Sequence, residues 1–150
     1  PFTAQSNLIG PTDVFLNSLV FDADHTLYAA NPQQQLFSVN TSTGKATLLS
    51  QIGVPAAGDL AFHEGRLYLS ALPNQLVEID RNDYTVMVIG SMGFSNVFGM
   101  ATGDDGILYG VSGTRIFRID TQTGAGTLIL DYAGRGLGPG AAGAGRHRRR

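Results

Sequence analysis

The sequence predicts an all-β protein built from repeated four-stranded antiparallel units, and three observations support this prediction. A hexapeptide with alternating apolar side chains recurs about every 40 residues, at residues 35–40, 75–80 and 115–120. No segment shows the apolar periodicity of a helix, and turns that contain glycine separate the short apolar runs. A constant period of this length indicates that one structural unit is repeated along the chain.

The size and composition are those of a globular domain. A chain of 150 residues has the usual size of one domain and is long enough to bury a core. The hydrophobic content is 43%, and no apolar run approaches the roughly 18 residues needed to cross a bilayer, so a membrane is not an expected partner. Because the chain has no cysteine, disulfides, thiolate zinc sites and a cysteine nucleophile are excluded.

The charge is distributed unevenly along the chain. Residues 1–134 carry five basic and twelve acidic groups, a net charge of −7, whereas residues 135–150 carry five arginines and no acid. An acidic body repels phosphate backbones, so nucleic acid is not an expected partner of the repeated units.

The first two strands of each unit are short. An apolar run predicts strand A at residues 19–21, 60–62 and 100–102. After an acidic or glycine-containing turn, a Leu-Tyr pair predicts strand B at residues 27–28, 67–68 and 108–109.

The hexapeptide predicts strand C, and a hairpin turn leads from it to strand D at residues 47–49, 86–88 and 127–130. The first and third turns end in Gly44 and Gly124, which accept the positive φ that such turns require. The second turn, residues 81–84, has no glycine, and we expect Asn82 or Asp83 to take the left-handed conformation there.

Four short strands in each 40-residue unit are typical of the blades of a β-propeller, and a solenoid of stacked sheets is the alternative. The predicted blades span residues 17–57, 58–95 and 96–134. Residues 1–16 are interpreted as the orphan last strand of a further blade, because residues 7–10 resemble residues 50–53. The Gly/Ala/Arg segment 135–150 is predicted to be a flexible tail, typical of a linker or of vector-derived or out-of-frame sequence.

Three blades are fewer than the four to eight that close a propeller, and the blade faces are apolar. We therefore expect a homodimer that forms a six-bladed ring. The alternative is that the chain is a slice of a longer propeller.

No catalytic motif of a familiar class is present, so the sequence predicts no catalytic residue and leaves open whether the protein is an enzyme. In a propeller, the starts of strands A and the loops between strands B and C face one axial opening. This placement predicts a small-molecule site that includes Asn31, Asn74 and Asn96. His63 and Glu64 are interpreted as residues of a surface turn at the opposite end.

The Leu-Tyr and Thr-Gly pattern resembles the blades of bacterial propellers found in secreted or cell-surface proteins. That resemblance implies such an origin, and a non-catalytic recognition or scaffold module. The strand starts Asn17-Ser18-Leu19 and Gly58-Asp59-Leu60 resemble those of gluconolactonase and paraoxonase-like six-bladed hydrolases. This second resemblance implies a divalent cation, Ca²⁺ or Zn²⁺, held by Asn17 and Asp59, and hydrolysis of a lactone, ester or phosphoester. The family's glutamate has no match here, and strand-end packing is the alternative role of both residues.

Overall fold

The computed structural model describes residues 5–135, which form twelve β-strands and no helix. The strands build three four-stranded antiparallel sheets, and within each sheet the spatial order follows the chain order. This confirms the prediction of three four-stranded blades. Among the described residues there is accordingly no helix that could span a membrane.

The strand bounds contain every run predicted for strands A, B and D, and they end each strand C one residue earlier than predicted. Blade 1 consists of β1 (Ser18–Phe21), β2 (Leu27–Ala30), β3 (Gln35–Val39) and β4 (Ala46–Gln51). Blade 2 consists of β5 (Ala56–His63), β6 (Arg66–Ala71), β7 (Gln75–Ile79) and β8 (Val86–Ser91). Blade 3 consists of β9 (Val97–Thr102), β10 (Leu108–Ser112), β11 (Arg115–Ile119) and β12 (Gly126–Asp131).

The register decides which loops meet at each end of the blades. Pairing of Ala56 with Ala71 places the start of β5 beside the loop between β6 and β7, whereas pairing of His63 with Arg66 marks the opposite end. The first strand of blade 2, β5, contacts the first strands of both neighbouring blades, β1 and β9. We call the end where these three strands start the axial end.

Apolar side chains are buried between neighbouring blades. The junction of blades 1 and 2 buries Leu60, Leu67 and Val77, and the ring of Tyr28 meets that of Phe62 edge to face at 6.0 Å. The junction of blades 2 and 3 is formed by a second group of buried residues, namely Tyr68, Leu76, Met100, Leu108 and Phe117. Each junction therefore has its own core.

The turn between β7 and β8 departs from the prediction. Gly44 and Gly124 take the expected positive φ of 79°, but in the second blade Tyr84, not Asn82 or Asp83, takes a φ of 62°. Tyr84 packs against the core between blades 1 and 2. Burial of the aromatic ring offsets the steric cost of the left-handed conformation, so tertiary packing overrides local preference.

Residues 5–17 form no strand in the structure, and residues 1–4 of the predicted orphan strand lie outside the described residues. Gly10 lies against Thr43 and Gly44 as Gly90 lies against Thr123 and Gly124. The structure therefore matches residue 10 to positions 50 and 90, not to Gly53 as the sequence comparison suggested. The predicted flexible tail, apart from Arg135, also lies outside the described residues.

Candidate functional site

The first strand of each blade is an edge strand of its sheet. The backbone groups on its open edge, including those at the axial end, need hydrogen-bond partners. Asp59 supplies one of these partners across a blade junction. Its Oδ2 accepts a hydrogen bond of 2.7 Å from the N–H of Met100, and its Oδ1 accepts one of 2.9 Å from the N–H of Leu60. Burial raises the pKa of the Asp59 carboxyl, and the two N–H donors partly oppose that shift. Asp59 thus joins blade 2 to blade 3.

Ser70 supports the same junction, although no feature of the repeat pattern distinguishes it as a site residue. Its buried hydroxyl accepts a hydrogen bond from the N–H of Asp59 at 3.1 Å and lies 3.0 Å from the carbonyl oxygen of Val97 on blade 3. The signal available in the sequence was a hydroxyl at a position that holds Ala30 in blade 1 and Val111 in blade 3.

Asn17 forms a corresponding link between blades 1 and 2. Its Nδ2 donates a hydrogen bond of 3.2 Å to the carbonyl oxygen of Ala56, and its Oδ1 accepts one of 3.2 Å from the hydroxyl of Ser18. Asn17 and Asp59 therefore serve two neighbouring junctions.

One chain does not supply a full set of metal ligands at this end. Within residues 5–135 there is no group of three or more His, Asp or Glu side chains placed to hold a metal ion. Asn17 and Asp59 provide a few oxygens, whereas Ca²⁺ takes six to eight. A cation here would need further oxygens from a second chain or from water, and the metal site stays a prediction.

The three predicted ligand-binding asparagines differ in accessibility. Asn31 is 2% exposed, and both polar atoms of its side chain form hydrogen bonds with Gln35. Its Nδ2 donates to Oε1 at 2.9 Å, and its Oδ1 accepts from the backbone N–H at 3.1 Å. Asn74 is half-buried, Asn96 is exposed with a φ of 55°, and neither side-chain amide bonds to another residue between 5 and 135. Asn74 and Asn96 are therefore the two that present amides to a ligand without first breaking an internal bond.

Phe98 adds an aromatic surface that sequence reasoning missed. It lies at the axial end of β9, two residues after Asn96, and is 61% exposed. Its backbone and ring approach Gly58 of blade 2 so closely that a Cβ at Gly58 would lie 2.8 Å from the Cα of Phe98. The signal was an aromatic residue where blades 1 and 2 carry Asn17 and Gly58.

The opposite end of the blades is occupied by packing contacts. Glu64 lies in an exposed turn as predicted, but His63 is the buried last residue of β5, with its Nδ1 3.3 Å from the hydroxyl oxygen of Thr102 and its ring against Tyr68. A groove of about 460 Å³ opens there between blades 1 and 2 and includes Arg66 and Arg81. Both arginines are paired, with Glu78 at 3.1 Å and Asp22 at 2.7 Å, so the groove offers no unpaired cation among the residues that line it.

No protein-family model and no curated protein matches the sequence. Solved structures nevertheless share the fold. A chain of the nidogen/laminin complex superimposes with a TM-score of 0.64 and 14% identity, over 83% of this chain and 50% of that one. A Bacteroides thetaiotaomicron protein of unknown function gives a TM-score of 0.62 and 18% identity, over 82% of this chain and 39% of that one.

A gluconolactonase from Xanthomonas campestris gives a TM-score of 0.59 and 16% identity, over 77% of this chain and 46% of that chain. The chain thus spans half or less of the length of these structures. They are β-propeller proteins, and at such identities the likeness concerns the fold alone. The protein has the β-propeller fold, and residues 5–135 form three blades.

Proposed function

We propose that the protein is a ligand-binding propeller that closes as a homodimer of six blades, with the ligand site at the axial end. The outer face of blade 1 supports closure. Leu19 on the open face of blade 1 is 53% exposed, whereas Leu60, at the same position within the blade 1–2 junction, is 1% exposed. A face of this kind left in water is a typical protein interaction surface.

The tyrosines that recur at the junctions also fit a second copy. Tyr28 and Tyr68 lie close to side chains that begin the last hairpin turn of the following blade, Arg81 and Thr121 respectively. The equivalent residues at the open faces are Tyr109 on blade 3 and Thr41 on blade 1. Blade 3 of one copy against blade 1 of another would place Tyr109, whose hydroxyl donates to Asp105 at 2.6 Å within its own blade, close to Thr41.

The single observation that carries the binding site is the combination of exposed groups at the axial end. Phe98 presents an aromatic face, and Asn74 and Asn96 present amides that form no hydrogen bond to any other residue in the range 5–135. Small-molecule sites typically combine apolar or aromatic surface with a few polar groups that fix orientation. This set suits a polar, uncharged molecule such as a sugar or a lactone better than an ion.

Two measurements test this function. Light scattering is expected to give a mass near twice 15.8 kDa, and a monodisperse monomer would contradict the dimer. Thermal unfolding with glucose and glucono-δ-lactone at millimolar concentration is expected to show a raised melting temperature in the native protein. Phe98→Ala is expected to abolish the rise, and Phe15→Ala, an exposed phenylalanine in the N-terminal segment, serves as the control.

Metal-assisted hydrolysis of a lactone, ester or phosphoester is the second candidate. The gluconolactonase among the similar structures favours it, and so does the half-buried Asp59 carboxylate, since each of its oxygens accepts one N–H and retains a lone pair for a cation. In a dimer, Asn17 and Asp59 of both copies would contribute four side-chain oxygens. A bound cation would act as a Lewis acid towards the substrate carbonyl or phosphoryl oxygen.

Chelation separates the two candidates. For a hydrolase, EDTA is expected to abolish lactone hydrolysis and Ca²⁺ or Zn²⁺ to restore it, and Asp59→Ala is expected to be inactive with either metal. Hydrolysis that is undetectable before and after metal addition would leave the non-catalytic recognition or scaffold role.

A further inference from the structure

We propose that the two copies close the ring by exchanging a strand: residues 7–10 of one copy form the fourth strand on β9, β10 and β11 of the other and replace β12 there. This inference rests on the proposed homodimer and specifies its interface. The occupant of the open face of blade 1 is thus a second copy of this chain, in the form of a blade that has released its own last strand.

The first evidence for the exchange is the position of Gly10. The repeat places Gly90, in the last strand of blade 2, against the turn formed by Thr123 and Gly124 of blade 3. Gly10 lies against Thr43 and Gly44 of blade 1 in the same way. Asp13, with a φ of 62°, likewise corresponds to Gly93, with a φ of 71°. Residues 7–10 therefore already hold the place of a last strand in a blade that precedes blade 1.

An intact blade 3 of a second copy cannot fill this place. Leu130 is the residue of β12 that corresponds to Gly90, since Ile116 pairs with Leu130 as Leu76 pairs with Gly90. A Cβ at this position overlaps the carbonyl oxygen of the facing turn, Thr43 at blade 1 or Thr123 at blade 3. The side chain of Leu130 would therefore collide with Thr43, whereas Gly10 does not.

The N-terminal segment also matches β12 in chemistry. Residues 7–10 read Asn-Leu-Ile-Gly and residues 127–130 read Thr-Leu-Ile-Leu, so the two apolar side chains of the strand are preserved. Within β12, the side chains of Leu128, Ile129 and Leu130 are already 49%, 55% and 36% exposed, so their release costs little burial. The larger cost is at Tyr132, which follows β12, is buried and bonds to the carbonyl oxygens of Gly113 and Thr114. The exchange replaces one hydrogen-bonded ladder with an equivalent one, and the junction gains the open face of blade 1.

Engineered disulfides test the exchange, because the sequence has no cysteine of its own. Thr127 lies opposite Arg118 in the blade 3 ladder, so after exchange Asn7 of the other copy lies opposite Arg118. Directly opposed strand residues are within the Cα separation that a disulfide spans. Mild oxidation of the Asn7→Cys/Arg118→Cys protein is expected to give a covalent dimer. Arg118→Cys alone is expected to stay unlinked, and Arg118→Cys/Thr127→Cys measures the unexchanged, intramolecular pair.

The outcomes separate the exchange from the dimer itself. A dimer by light scattering together with the 7–118 bond supports the exchange. A dimer that forms only the 118–127 bond overturns the exchange and leaves the proposed homodimer intact, whereas a monomer with no 7–118 bond overturns both.

A substitution without cysteine provides a second measurement. Gly10→Leu places a side chain against Thr43 and is expected to weaken dimerisation at least about tenfold, a loss of about 1.4 kcal/mol. Gln5→Leu, on an exposed residue of the same segment, is expected to leave the dissociation constant unchanged. Equal constants for the two variants would overturn the exchange.

Discussion

The carboxylate of Asp59 on blade 2 accepts a hydrogen bond of 2.7 Å from the backbone N–H of Met100 on blade 3. The first strand of each blade is an edge strand, so one side of it has no neighbouring strand to bond its backbone groups. A side chain from the adjacent blade supplies the hydrogen-bond partner there. At the other end of the same two strands, the hydroxyl of Thr102 donates to the carbonyl oxygen of Phe62 at 2.7 Å. The blades are thus joined by side-chain contacts to the inner strand edges as well as by apolar packing.

The Asp59 contact predicts the effect of its removal on stability. Asp59→Ala leaves the N–H groups of Leu60 and Met100 without their acceptor, and an unsatisfied buried donor costs about 1–3 kcal/mol. Urea unfolding at neutral pH is expected to show a loss of this size in the free energy of unfolding. Asp104→Ala, at an exposed turn of blade 3, is the control and is expected to change the value by less than about 0.5 kcal/mol. Similar losses for both variants would contradict the role of Asp59.

Two strand glycines give a matched test of how closely blades 2 and 3 approach. A Cβ at Gly90 overlaps the carbonyl oxygen of Thr123, a backbone atom that cannot rotate away, whereas a Cβ at Gly99 meets Val111 at an ordinary 3.6 Å. Gly90→Ala is therefore expected to destabilise the protein by about 1–3 kcal/mol through a forced backbone shift. The free energy of unfolding of Gly99→Ala is expected to lie within about 1 kcal/mol of the native value. Alanine also reduces the conformational entropy of the unfolded chain, which favours the folded state. Calorimetric melting of both variants measures the difference, and equal melting temperatures would show that the blades can separate without cost.

The strands were predictable from the sequence because each depends on a local pattern. The features that were predicted wrongly depend on contacts between blades. Leu67 and Tyr68 alternate with the pleat whatever lies beside them. The positive φ of Tyr84 follows instead from burial of its ring at the blade 1–2 junction. Gly10 resembled the turn glycine Gly53, but its small size is needed for contact with Thr43, and only the assembled blades show that contact.

The sequence was sufficient to predict that the candidate residues lie at one end of the blades. The repeat correctly placed the starts of the first strands beside the loops that follow the second strands, as the pairing of Ala56 with Ala71 shows. The sequence did not indicate that Met100 would bond to Asp59, because the two residues meet only across a blade junction 41 positions apart. Phe98 was missed because a short apolar strand start gives no sign of which side chain stays in solvent.

The two salt bridges formed by arginines of blade 2 are expected to contribute differently to the free energy of unfolding. Arg81 bonds at 2.7 Å to Asp22, whose side chain is buried in blade 1, and its guanidinium lies 5.3 Å from the centre of the Phe62 ring. Arg81→Met is expected to cost about 1 kcal/mol, reduced by the partial exposure of the arginine. Arg66→Met breaks the exposed pair with Glu78 and is expected to leave the unfolding midpoint unchanged. Urea unfolding of both variants checks the prediction, and an equal shift of the two midpoints would show that the buried Asp22 gains nothing from Arg81.

The turn aspartates predict how stability depends on pH. Hydrogen bonds from the N–H groups of Gln122 and Thr123 hold the pKa of the Asp120 carboxyl below its ordinary value of 3.8. A lowered pKa in the folded state means that the stabilising contribution is present above 3.8 and is lost as the pH falls through the folded pKa. The other exposed aspartates whose pKa is lowered by hydrogen bonds act in the same direction, namely Asp83, Asp105 and Asp131.

Asp59 acts in the opposite direction, because its raised pKa means that its contribution is lost as the pH rises through a value above 3.8. Asp120→Asn should retain the turn, since Asn40 accepts the same pair of hydrogen bonds through Oδ1 in blade 1. The Asp120→Asn protein is therefore expected to match the native melting temperature at neutral pH and to lose less of it on acidification from about pH 5 to about pH 2. If the melting temperatures of the two proteins fall by the same amount over that pH range, Asp120 is not a source of the acid sensitivity.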